Sequence, residues 1–164
     1  MYLTMDFYCI ESPIGWLKIQ GDDQFIHEIS FIPGETLNRE NPLLKFCAEQ
    51  LDAYFLGKLK TFDVPITIRG TGFQQRVLNR VREIPYGVTR SYADIALELE
   101  KPHAVRAVGN ANGNNPLAII IPCHRVIGSD GSLTGYAGGI WRKKWLLQHE
   151  LSKTPLPLFS SAPS

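Results

Sequence analysis

Cys123 and His124 stand side by side in AIIIPCHRVIG, residues 118–128, directly after three isoleucines and a proline. A thiol attacks carbon as its thiolate, and a free cysteine with a pKa of ~8.5 supplies little of that form at neutral pH. Some base must take the proton. His124 is adjacent, but neighbours in an extended segment point opposite ways, so a relay through a water is easier than direct contact. A relay histidine needs an orienting acceptor on its other nitrogen. No carboxylate lies between Lys101 and Ser129, and the next along the chain are Asp130 and Glu150. On a helical wheel of WRKKWLLQHEL, Glu150 falls between Leu146 and Leu147, on the face a core would claim. An unpaired carboxylate is costly there, and a histidine from the Pro-Cys-His segment would satisfy it. The alternatives are an exposed helix end or an ion pair with Lys143.

Two further stretches could act on a substrate. In GSLTGYAGG, residues 131–139, Gly135, Gly138 and Gly139 permit a tight loop and Tyr136 offers a flat face. The loop is either one wall of a slot for a planar ring or a plain surface turn. Upstream, Ser91 and Asp94 form the Ser-x-x-Asp start of a short helix, YADIALEL. Pro102 then opens a second, PHAVRAVGNAN, after about three connecting residues, which is a helix-turn-helix spacing. On its wheel Ala104, Ala107, Val108 and Ala111 share one face and His103, Arg106 and Asn110 the other. Arg106 is either an ordinary solvated arginine or, in a helix-turn-helix, one that projects while small side chains let the backbone approach a nucleic acid closely. His27, His103 and His149 read as surface or satisfied side chains.

The elements that must position these groups follow from pattern and punctuation. Residues 5–32 hold three apolar runs separated by Ser-Pro-x-Gly and Gly-Asp-Asp, a small antiparallel sheet. PLLKFCAEQLDAYFL, from about Pro42, is a covering helix stopped by Gly57. A strand-like linker, FDVPITIRG, leads to an amphipathic helix, TGFQQRVLNRVREI, ended by Pro85 and Gly87. The isoleucine run reads as a buried strand ended by Pro122. The fold class is therefore α+β: an N-terminal antiparallel sheet with a covering helix (1–66), then a mostly helical, winged-helix-like domain with a helix-turn-helix (67–151). A Pro- and Ser-rich tail (152–164) carries no function.

Composition is that of a soluble globular chain: of 164 residues, 44% are hydrophobic and 20% charged. Residues 1–63 carry ten acids against five Lys/Arg, whereas residues 101–149 carry six Lys/Arg against one acid. A surface facing a polyanion fits that asymmetry, and chance in a short window is the alternative. No apolar run approaches the ~20 residues of a membrane span, and the N-terminus lacks a basic start and apolar core, so an intracellular protein is expected. Cys9 and Cys47 read as small buried hydrophobes, with no disulfide framework and no zinc-finger spacing.

NPLAIIIPCHRVIGSDGSLTGYAGG, IPYGVTRSYADIA and AVRAVGNANGNNP together closely resemble the O6-alkylguanine-DNA alkyltransferase family, from about Phe73 to Glu150. SPIG and HEI extend the likeness more loosely into the first 65 residues. The resemblance implies duplex DNA as partner, a helix-turn-helix in the minor groove, a flipped guanine, and irreversible transfer of its O6-alkyl group to Cys123. O4-alkylthymine is a second expected substrate. His124 becomes the water-mediated base, Glu150 its orienter, and Asn115 the brace of the active-site turn. Tyr92 would turn the 3′ phosphate and reach the base edge, and Arg106 would fill the gap left in the stack. Ser91, Tyr92, Ala104, Val105, Arg106, Ala107, Gly109 and Ser129 occupy the family's DNA-contact positions. Pro122, Val126, Tyr136, Ala137, Gly138 and Gly139 occupy the base pocket.

Departures matter too. Ala137 stands where some members have serine, leaving only a backbone N–H to donate to the guanine oxygen. Asp22 stands at one cysteine position of a structural zinc site that some members carry, and only His27 matches, so neither metal nor other cofactor is expected. A monomer is expected, in the cytoplasm or nucleoid of a prokaryote or the nucleus of a eukaryote. Two other functions compete: a non-catalytic alkylated-DNA-binding protein, and a cysteine hydrolase using Cys123, His124 and Glu150.

Overall fold

Turn chemistry starts the molecule. Strands β1 (Asp6–Ser12) and β2 (Gly15–Gly21) are joined at Ser12, whose hydroxyl donates to the Gly15 carbonyl at 2.6 Å. Gly15, at φ +110, supplies a conformation that side chains resist. Asp22 closes the next turn by accepting from the backbone N–H groups of Gln24 and Phe25, both at 2.8 Å, and starts β3 (Ile26–Ile32). The three strands form an antiparallel sheet in the order β1-β2-β3. Helix α1 (Pro42–Phe55) begins where Asn41 accepts from the Leu44 N–H, with proline at its first turn, and ends before Gly57 at φ +76. Its Leu44, Cys47, Leu51 and Tyr54 share one apolar core with Ile10, Leu17, Ile19 and Ile29 of the sheet. The structure, a computed structural model, describes residues 5–153.

The second half packs α2 (Gly72–Arg82), β4 (Arg90–Ser91), α3 (Tyr92–Glu98), α4 (Val105–Gly113), a 3-10 turn (Cys123–Arg125), β5 (Val126–Ile127) and α5 (Ile140–Lys153). β4 and β5 pair in parallel, Arg90 with Val126 and Ser91 with Ile127, which brings the start of α3 beside the cysteine turn. Ser91 caps α3 in a reciprocal box with Asp94. One apolar core runs through both halves, from Ile10 to Leu146. The architecture is α+β, with a small antiparallel sheet and a mostly helical second half.

Three expectations need correction. The isoleucine run is not a strand. Leu117 and Ala118 make single bridges, Ile119 sits at φ +74, and the Ile121 N–H returns to the Leu117 carbonyl at 3.0 Å. The segment is a buried turn, and nothing in three β-branched residues signals a left-handed bend. Second, Pro102 does not open the second helix. Pro102 and His103 form a turn, and α4 starts at Val105 after Ala104, so residues 99–104 join the two helices. Third, the face of α4 differs from the wheel: Val108, Ala111 and Asn112 are buried, whereas Ala107 is exposed beside Arg106 and Asn110. Of the expected tail, residues 152–153 continue α5, and 154–164 lie outside the described residues.

Candidate active site

Asn115 builds the turn that carries the thiol. Its side-chain oxygen accepts from the Leu117 N–H at 2.9 Å, and its amide donates to the Ile121 carbonyl at 2.8 Å. Both ends of the isoleucine bend are thus tied to one side chain. The Cys123 N–H then donates back to the Ile121 carbonyl at 2.8 Å, and buried Asn112 donates to the Cys123 carbonyl at 3.2 Å. Cys123 is 7% exposed and opens into a cavity of about 200 Å³. Asn115, Ala118, Tyr136, Ala137 and Gly138 line it from the second half, and Ile29, Ser30 and Phe31 of β3 line it from the first. The expected pocket residues divide here. Tyr136, Ala137 and Gly138 face Cys123. Pro122 lines a separate cavity with Tyr86 and Arg125, Val126 is fully buried in the β4–β5 pair, and Gly139 borders an open groove. Consecutive residues of a turn point to different sides, which explains why Pro122 and Cys123 part company.

Behind the turn, His124 Nε2 lies 2.6 Å from Glu150 Oε2, with neither side chain exposed by more than 1%. Arg125 grips the same carboxylate with two bonds, Nε to Oε1 at 2.8 Å and Nη2 to Oε2 at 3.0 Å. Tyr54 of α1 donates its hydroxyl to Oε2 at 2.6 Å, and the Gly87 N–H donates to Oε1 at 3.1 Å. Burial alone would raise the Glu150 carboxyl, but His124 and Arg125 outweigh it and hold the group far below the carboxylate range. Burial lowers the His124 pKa, so the ring is neutral; with Nε2–H directed at Glu150, the Nδ1 lone pair is free. Nδ1 is buried without a protein partner among the described residues. Burial also raises the Cys123 thiol, opposed by Asn115 and Lys143.

Lys143, weighed above only as an alternative partner for Glu150, is fully buried and pairs elsewhere. Its ammonium donates to the Thr134 carbonyl at 2.8 Å and to the Tyr92 hydroxyl at 3.3 Å, and Tyr92 donates to Thr134 at 2.9 Å. Burial depresses its pKa from 10.5 to about 8, and a Cys123 thiolate would push it back up. Sequence reasoning missed Lys143, Arg125 and Tyr54. The signal for Lys143 was its place in the middle of three consecutive basic residues in a helix that must bury one face.

Ser91, Tyr92 and Gly109 are partly buried, and Val105, Arg106, Ala107 and Ser129 are exposed, with Ala104 intermediate. An open groove runs between α4 and the glycine loop, lined by Gly109, Asn110, Asn114, Gly135 and Ile140. It shares Gly113, Tyr136 and Ala137 with the Cys123 cavity, so α4 borders the way in. His27 has both ring nitrogens engaged, Nε2 with Asp22 at 2.8 Å and Nδ1 with Thr67 at 2.5 Å, which leaves no lone pair for a metal. Cys9, Cys47 and Cys123 are all free thiols. No described helix is long and apolar enough to cross a membrane.

The chain is similar to known proteins along most of its length. The model of the 6-O-methylguanine DNA methyltransferase DNA-binding domain matches residues 72–152, and that of the family's ribonuclease-like domain matches residues 5–68. Methylated-DNA--protein-cysteine methyltransferases are similar over nearly the whole chain. The protein from Mycolicibacterium paratuberculosis is 45% identical, covering 94% of this chain and 97% of its own; that from Methanosarcina barkeri is 47% identical, covering 89% and 97%. The crystal structure of Mycobacterium tuberculosis O6-methylguanine methyltransferase superposes with a TM-score of 0.85 at 45% identity, covering 94% of this chain and 98% of that one. The same organism's OGT in complex with DNA gives 0.83 at 47% identity, covering 91% and 94%. With both halves matched by the family's two domain models and relatives 45–47% identical over most of its length, the chain belongs to the 6-O-methylguanine DNA methyltransferase family.

Proposed function

We propose that this protein repairs duplex DNA by moving the alkyl group of O6-alkylguanine irreversibly onto Cys123, one event per molecule. The observation that carries the reading is the thiol itself, seated in a cavity that joins the α4 groove and backed by the His124–Glu150 pair. Ser91, Tyr92, Ala104 and Gly109, with the exposed Val105, Arg106, Ala107 and Ser129, would meet the DNA backbone and minor groove, where binding is blind to sequence. Arg106 would occupy the stack left by the flipped guanine, and flipping costs least at a damaged pair.

In the cavity, the Cys123 proton passes through a water to His124 Nδ1, and Glu150 steadies the ring that receives it. Sulfur donates its pair to the alkyl carbon, and the carbon–oxygen bond breaks with its electrons left on guanine. Donors near the base stabilise that developing charge by hydrogen bonds, and the guanine anion takes its proton from water. Tyr92, whose pKa burial raises, keeps its proton and can donate such a hydrogen bond by turning its hydroxyl from Thr134 to the base. Lys143 stabilises the thiolate, because a buried ammonium with only neutral oxygen partners gains most from a new anion beside it. The thioether has no hydrolytic exit. O4-alkylthymine would be accepted by the same route, the protein acts as a monomer, and the compartment that holds chromosomal DNA is its place of work.

Incubation with a duplex carrying O6-methylguanine should add one methylene mass to the tryptic peptide containing Cys123. An unmodified peptide beside intact lesion would reduce the protein to a damage binder, and catalytic turnover would point to a hydrolase. Cys123→Ser should end transfer while leaving DNA affinity nearly intact, whereas Arg106→Ala should weaken both.

A further inference from the structure

Three successive cations, Arg142, Lys143 and Lys144, occupy the first turns of α5, where the positive end of the helix dipole disfavours them. Their placement therefore answers to something other than helix stability. Lys143 holds the Thr134 carbonyl, at the start of the loop that walls the Cys123 cavity. Arg142 holds the other end: Nη1 donates to the Gly138 carbonyl at 2.8 Å. The same guanidinium reaches the N-terminal hairpin, where Nε donates to the Ile14 carbonyl at 2.6 Å. Its central carbon lies over two aromatic rings, 4.4 Å from the centroid of Phe31 and 4.6 Å from that of Trp141. Phe31 in turn presses on the loop. A Cβ added to Gly138 would lie 2.7 Å from the Phe31 ring, and Phe31 meets Tyr136 edge to face at 6.3 Å. Phe31, Tyr136 and Gly138 all line the cavity.

We propose that Arg142 is a positioning residue that latches the loop Thr134–Gly139 to the N-terminal sheet and, with Phe31, sets the size of O6 substituent the cavity accepts. Arg142 does not line the cavity; it acts through the Gly138 carbonyl and the Phe31 ring. A planar, five-donor guanidinium suits this work, since it can stack on aromatic rings and donate to two carbonyls together. The inference rests on the alkyl-transfer reading and deepens it. A guanine with a small substituent depends on the walls alone for alignment with sulfur, so it suffers most when a wall loosens. A benzyl substituent brings its own ring contacts to the loosened cavity and suffers less.

The test compares transfer rates from O6-methylguanine and O6-benzylguanine in the same duplex for the parent chain, Arg142→Met and Arg142→Lys. Methionine keeps the apolar stem beside the rings and removes both donors; lysine keeps charge and a donor but cannot span both carbonyls. Arg142→Met should lose about tenfold on methyl and less than about twofold on benzyl. The benzyl-to-methyl ratio rises at least fivefold on those figures, with Arg142→Lys in between, and affinity for undamaged duplex stays at the parent value. Melting temperatures identify a variant that has merely lost its fold, in which case the lysine variant alone decides. An unchanged ratio, or an equal loss on both substrates, overturns the latch. Failure of the parent chain to methylate Cys123 in the same assay would overturn the alkyl-transfer reading instead.

Discussion

Two buried charges stand two turns apart on α5, and the molecule treats them oppositely. Glu150 is surrounded by Arg125, His124, the Tyr54 hydroxyl and the Gly87 N–H, which together hold it ionised. Lys143, equally buried, has a carbonyl and a phenol, and its pKa falls. A charge that serves in every state of the protein is paired at rest. On the proposed alkyl transfer, one that serves only while a thiolate exists is left short of a counter-charge, at a standing cost, so that forming the anion would relieve it.

The contrast can be broken first at its saturated end. Glu150→Gln leaves Arg125 buried without its anion and should cost about 3–5 kcal/mol in a denaturant titration, with transfer lost as well. A variant as stable as the parent would mean that the pairing is incidental. At the other end, Lys143→Met should slow methyl transfer about a hundredfold at neutral pH, as the removal of a single charge-stabilising group does, without lowering stability. The pH dependence sharpens this. The fall in Lys143 pKa from 10.5 to about 8 corresponds to at most about 3 kcal/mol, a penalty fully present below pH 8. Between pH 8 and 10.5 the folded chain sheds this proton before the unfolded chain does, so unfolding free energy should rise with pH. In a Cys123→Ser background, free of the coupled thiol, that rise should appear, and adding Lys143→Met should flatten it. The smallest effect is expected from Tyr54→Phe, which removes one of several donors to Glu150. A loss of about 2 kcal/mol in stability, with a few-fold drop in transfer rate, would place Tyr54 inside the saturated node; no change would place it outside.

The parts of the site legible in the sequence are those with a local anomaly: a thiol beside a histidine, a glutamate on an apolar helix face, a serine–aspartate box before a short helix. The sheet, α1 and the order of the helices were legible for the same reason, since turns and periodicity are local. Tyr54 and Phe31 were not, because each reaches the site from the first half of the chain and looks like an ordinary core aromatic in its own neighbourhood. Lys143 was hidden by its basic neighbours, and Arg125 by the histidine before it. The bend at Ile119 had no local signal at all, since its left-handed backbone is imposed by the Asn115 bonds around it.

The backbone of β3 meets the cysteine turn directly, the Ile29 N–H donating to Pro116 at 2.8 Å and the Ala118 N–H donating to Ile29 at 3.2 Å. On its other side, β1 is matched at Phe7 by Arg39. An open sheet edge invites strand addition from other chains, and here the reactive turn itself is one of the guards. A substitution that displaced the turn would leave the Ile29 backbone unpaired, with the edge still covered at Ile26 by Pro65 and Thr67.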